Sequence, residues 1–193
     1  MKANAETHHL SHSFRTDAAH LIEKVRHANS PKAPHLRTSY IAKLVVDAYM
    51  ACECALKSMI ASANADKTGT EVYGIILKRG HNLKRLIAKA LPQSIDEDAC
   101  KFLKVASKHG VSLRYSLDLF SLTTSDSIQG SRFQIDQNYL REFLKVAKSL
   151  TQEAEARHRS IFGNGGAPVL TNEQLKEYVR EFQVVSKKQI TKC

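Results

Sequence analysis

Apolar residues recur along this chain at intervals of three and four, and the longest such run, Ser39 to Ala63, frames the rest. At about 100° per residue, Ile41, Leu44, Val45, Ala48, Cys52, Ala55, Leu56, Met59 and Ala63 share one broad arc of a helix. Val46, Met50 and Ile60 widen that arc, leaving a narrow polar strip of Lys43, Asp47, Cys54 and Ser58. A helix so apolar belongs at the centre of a bundle. Glu53 and Lys57 stand four residues apart at the arc's edge, where a half-buried carboxylate needs a counter-charge.

The same period predicts the other elements. Phe14 to Ala28 carries a seam of Ala18, Leu21, Ile22 and Val25, closed by Asn29, Ser30, Pro31 and Pro34. Glu71 to Lys78 is rich in β-branched residues but has no evident partner strand, so it reads as a short helix on the central one. Gly80 breaks it, and Asn82 caps a helix of Leu83, Leu86, Ile87, Ala90 and Leu91 that Pro92 stops. Ser94 and Glu97 have capping-box spacing ahead of Ile95, Ala99, Phe102, Leu103 and Ala106, with Gly110 as the terminator. After the Ser/Thr-rich stretch 122–130, Leu140, Phe143, Leu144, Ala147, Leu150 and Ala154 stripe a long helix that continues into charged residues up to Ile161. Thr171 and Gln174 introduce a final helix with Leu175, Tyr178, Val179 and Phe182 on its packing side. The expected fold is all-α, an antiparallel bundle of five to six helices. Its divisions are a polar arm over 1–13, which reads equally as an extension of the first helix, a core over 14–162, a glycine-rich hinge over 163–170, and a C-terminal helix packed on the bundle over 171–193.

Composition changes this picture in two ways. A formal charge of +10, from 29 Lys plus Arg against 19 Asp plus Glu, favours an anionic partner such as RNA, DNA or a phosphorylated molecule, a nucleotide among them; a merely solubilising surface is the competing reading. Cys52, Cys54, Cys100 and Cys193 fit neither a disulfide framework nor a zinc spacing, which points to reduced thiols and a cytoplasmic protein. No apolar run is long enough for a membrane span, and the polar N-terminus lacks the core of a secretion signal.

Candidate chemistry is sparse. His8, His9 and His12 cluster without a fourth metal ligand nearby, and neither metal nor cofactor is expected. Arg15 and His20 have a spacing found in metal-independent ribonucleases, where guanidinium holds phosphate and imidazole moves a proton; about 140° of helical turn makes them only loosely cofacial. Arg114 and Tyr115 are candidates for a binding site or for a structural bridge. Gly163, Gly165 and Gly166 lack the Lys-Ser or Lys-Thr of a phosphate loop.

Glu53-Cys54-Ala55-Leu56-Lys57, followed by Gly80-His81-Asn82-Leu83 and Leu86-Ile87, resembles the paired helical signature of HEPN domains, over Tyr40 to Leu91. Asn82 stands where that family usually has an acid. The resemblance implies a helical bundle, frequently homodimeric, associated with RNA handling and with defence or toxin–antitoxin systems. Catalytic relatives carry Arg and His four to six residues apart in a late helix; here Arg157 and His158 are adjacent, and the only matching pair, Arg15 and His20, lies in the first helix.

Three readings stay open. One is a non-catalytic module that binds RNA, a nucleotide or a partner protein, such as an antitoxin or regulator, with Glu53, Lys57, His81 and Arg85 around a cleft. The second is a ribonuclease using Arg15 and His20. The third is a dimerisation or regulatory element.

Overall fold

A computed structural model describes residues 3–29, 38–107 and 137–164, together with the single positions Thr171, Glu173, Lys176 and Arg180. Arg114, Tyr115, the Gly110 cap, residues 165–170 of the hinge and Gln174, the second member of the capping box with Thr171, lie outside the described residues. The elements are α1 (Ala5–Ala28), α2 (Thr38–Ser62), α3 (Gly69–Leu77), α4 (Leu83–Ala90), α5 (Glu97–Ala106) and α6 (Gln137–Phe162), with no strand among the described residues.

The first helix takes up most of the stretch read as arm or extension. Asn4 caps it, its side-chain oxygen accepting from Glu6 N at 2.9 Å and Thr7 N at 3.3 Å. Thr7 and Ser11 are buried despite their polarity because each hydroxyl finds a partner. Thr7 Oγ1 donates to Lys67 O at 2.6 Å, and Ser11 Oγ lies 3.2 Å from Ser58 Oγ and 2.9 Å from Ser62 Oγ. Further along, Ala18, Ile22 and Val25 supply the apolar seam.

Pairwise contacts fix the helix directions. Asn4 N donates to Ala65 O at 2.7 Å, Ser11 meets Ser58, and Lys24 meets Asp47, so α1 runs antiparallel to α2. Arg15 pairs with Glu155 and the His8 ring stacks on Phe162, so α6 is also antiparallel to α1. It follows that α2 and α6 run parallel. A strictly antiparallel bundle with short connections does not describe that pair; α3, α4 and α5 lie between α2 and α6 in the chain.

The core centres on α2, where Val45, Ala48, Ala51, Cys52, Ala55, Leu56, Met59 and Ile60 are fully enclosed. Phe143 of α6 is the largest wholly buried side chain, with ring centroids 4.9 Å from Phe102, 5.3 Å from Tyr139 and 6.2 Å from Tyr49. Burying such a ring contributes about 2–3 kcal/mol.

The short helices are held at their ends. Thr68 and Glu71 form a reciprocal capping box on α3. On α5 the cap is Asp96, accepting from Ala99 N at 2.7 Å, rather than Ser94. Ser94 is engaged elsewhere: its amide donates to Glu153 Oε2 at 2.7 Å and its hydroxyl to Ser149 O at 3.2 Å. Arg157 ties down the end of α4, donating to Ala90 O and Leu91 O, each at 2.7 Å, while pairing with Glu153. Glu153 and Arg157 of α6 thereby set where α4 stops and how it lies.

Candidate functional site

Glu53, Lys57 and His81 converge. One helical turn of α2 brings Lys57 Nζ to 2.7 Å from Glu53 Oε1, as the spacing of four predicts. The turn between α3 and α4 then delivers His81, whose Nδ1 lies 2.7 Å from the same oxygen. That turn depends on Gly80 at φ +58°, a left-handed conformation that a side chain would strain. Tyr49 adds a second tie, its hydroxyl donating to His81 O at 2.7 Å. The Glu53 side chain is only 5% exposed against 45% for His81, so the carboxylate is the inner anchor and the imidazole the outer member. With a carboxylate accepting at Nδ1, the proton of a neutral His81 resides there. The Lys57 ammonium also sits 5.5 Å from the Phe14 ring centroid. A carboxylate shared between an ammonium and an imidazole holds structure in place.

Arg85 does not join this group. Its amide donates to Asn82 Oδ1 at 3.1 Å, while its side chain is exposed on the outer face of α4. There it belongs to a different set. From Val72 to Ile95 the chain contains no acidic residue, and Lys78, Lys84, Arg85 and Lys89 are exposed with Arg79 half-buried beside them. None of these cations forms an ion pair among the described residues. By contrast Lys24, Arg26 and Lys101 each meet a carboxylate, at 2.8, 2.6 and 3.1 Å. The α4 surface is therefore positive without internal compensation.

Arg15 and His20 are not brought together. Arg15 is directed at α6, pairing with Glu155 and lying 2.9 Å from His12 Nδ1, while His20 is exposed. Nothing in the described chain gives the two a shared partner.

One buried cluster escapes a reading based on apolar periodicity. His158 of α6 is 2% exposed, its Nδ1 3.0 Å from Ser11 Oγ. Its ring centroid lies 5.0 Å from His8, 5.8 Å from His12 and 5.0 Å from Phe162. Burial, and then Arg15, His8 and His12, hold the His158 imidazole down at about 4. Burial likewise lowers His8 and His12, helped by their cationic neighbours. The available signal was position: His158 falls four residues beyond Ala154 on the apolar stripe of α6. No group of three His, Cys, Asp or Glu side chains among the described residues is arranged to hold a metal ion. Among them, too, no helix is long and apolar enough to cross a membrane.

Fold and site together define an all-α bundle with a braced turn-helix whose cations meet no carboxylate among the described residues. Compared with known proteins, the chain matches no family model, no curated protein and no solved structure.

Proposed function

We propose that this protein is a non-catalytic helical module that binds RNA through the turn before α4 and the outer face of that helix. The observation that carries the reading is the run Lys78, Arg79, Lys84, Arg85 and Lys89, five cations without an ion-pair partner among the described residues, in a stretch devoid of acid. Phosphate contacts supply most of the affinity of such a surface and make it salt-dependent. Glu53, Lys57 and His81 serve as the internal brace, fixing the turn so that the cations are presented on a rigid base. Membership among divergent, non-catalytic HEPN-like proteins is part of the proposal, supported by the order of α2 and α4 and by the Glu53, Lys57 and His81 motif residues. Arg15, committed to Glu155, and the exposed His20 give the ribonuclease reading no support.

The test is fluorescence anisotropy with a labelled single-stranded RNA of roughly 16 nucleotides. Five phosphate contacts give a log–log salt slope of about −3.5, so affinity falls about 100-fold between about 50 and about 200 mM salt. Replacing Lys84, Arg85 and Lys89 by Gln makes the slope shallower by about 2 units. The matched triple of Lys24, Arg26 and Lys101 to Gln leaves it unchanged. Equal effects of the two triples, or no binding at the lower salt, refute the proposal.

A further inference from the structure

His8, His12 and His158 gather around Ser11 and Arg15 at the junction of α1 and α6. We propose that the first half of α1, residues 5–15, is an acid-released latch, docked on α2 and α6 while these imidazoles are neutral and detached when they take up protons. The second half stays docked through Ala18, Ile22 and Val25. Release uncovers Ser58 and Ser62 of α2 and the inner face of α6 at Ala154 and His158.

The geometry carries this in three ways. First, His158 is enclosed, and its Nε2 is buried with no hydrogen-bond partner among the described residues, as is Nε2 of His8. A proton added at either place would create a buried charge with no acceptor. Second, the surroundings are already positive. From α1 the cluster is faced by His9 and Arg15, from α2 by the uncharged hydroxyls of Ser58 and Ser62, and from α6 by Glu155 and Arg159. Lys57 of α2 lies nearby over Phe14. Glu155 is already engaged by both Arg15 and Arg159. Burial alone would raise its pKa, but the two arginines prevail and lower it, so it stays ionised while the histidines titrate. Third, the remaining ties of this half are hydrogen bonds at its start, from Gly69 N to Glu6 Oε2 at 2.9 Å and from Thr7 to Lys67 O. Its apolar anchors are Leu10 and the partly buried Phe14, and these are what electrostatic repulsion has to overcome.

The sign follows from linkage. Docked imidazoles titrate below the ordinary 6.5, at about 4 for His158; once residues 5–15 detach, those on the segment and the uncovered His158 return towards 6.5. The released form therefore binds more protons between these values, and docking weakens as pH falls from 6.5 towards 4. For His158 alone, the opening constant rises about 20-fold from about pH 7 to about pH 5, and His8 and His12 add in the same direction.

Hydrogen exchange by mass spectrometry on the full chain at those two pH values, corrected for intrinsic exchange rates, reads this directly. Residues 5–15 are expected to lose protection about 20-fold or more, while 18–28 and α2 keep theirs. Protection of 5–15 that stays within about twofold, or that falls in step with the whole chain, overturns the latch. The half-buried pair His8→Gln with His12→Gln should shrink the pH dependence. Because His158→Phe could impair folding, NMR titration of the native His158 ring is the second measurement. A midpoint near 4 supports the latch; one near 6.5 overturns it.

Discussion

Replacing Lys57 by Met is the sharpest probe of the inner brace. The substitution keeps an apolar stem near Phe14 but leaves the Glu53 carboxylate, 5% exposed, paired with His81, which is nearly half in solvent. Removing one partner of a buried pair costs about 3–5 kcal/mol. The remaining imidazole, and the 12% exposure of Lys57 itself, bring the expectation to about 2–3 kcal/mol. With a urea m-value of about 3 kcal/mol/M for a chain of this size, the midpoint should move down by about 0.8 M at unchanged m. Far-UV circular dichroism during urea titration measures this. Glu53→Gln in the same background removes the stranded charge, so the double variant should recover about 1–2 kcal/mol over Lys57→Met alone. A midpoint shift worth less than about 0.5 kcal/mol, or strict additivity of the two substitutions, would refute a closed ion pair at the base of the turn. If the α4 surface binds RNA as proposed, the same variants should weaken that binding far less than the α4 triple, since the brace lies behind the cations.

Two further outcomes follow from single residues. Leu91 closes α4 in a left-handed conformation, φ 47°, with its side chain 70% exposed, so Leu91→Gly relieves strain while sacrificing little packing. A gain of about 1 kcal/mol, or about 3 °C in Tm by scanning calorimetry, is expected, and a loss of stability would show that Leu91 packs in solution. Burial raises the Cys52 thiol far above its ordinary value, leaving almost no thiolate, whereas Cys54 and Cys100 are only partly buried. Alkylation of the native protein at mildly alkaline pH should therefore spare Cys52 until denaturant is added, as peptide mass mapping would reveal.

Apolar periodicity proved sufficient wherever burial was bought with apolar atoms. The arc of α2, the stripe of α6 up to Ala154 and the Asn82 cap of α4 are all legible from residue type. So was the pairing of Glu53 with Lys57, because a local spacing of four determines it. What stayed hidden depends on partners distant in sequence. The first turns of α1 look polar, yet Thr7 and Ser11 are buried because Lys67, Ser58 and Ser62 lie opposite. Ser94 resembles a cap but bonds to α6, leaving the role to Asp96. His158 is invisible to an apolar count, although it occupies the next position of an apolar stripe. Arg15 looked available for phosphate until the fold placed Glu155 against it.

The parallel run of α2 and α6 bears on the order in which the chain assembles. Antiparallel α1 and α2 are neighbours in sequence, and closing the segment between them costs little entropy. Ser11 and His158, by contrast, are separated by 147 positions, and the contacts of α6 form only after that much chain has been brought back. The α1–α2 hairpin is thus the early nucleus and α6 the late arrival, so core truncations on α6 should speed unfolding while those on facing positions of α1 and α2 slow folding. During synthesis, the apolar arc of α2 waits for its last cover until Phe162 has emerged, and over that interval α1, joined by α3 and α4, shields it.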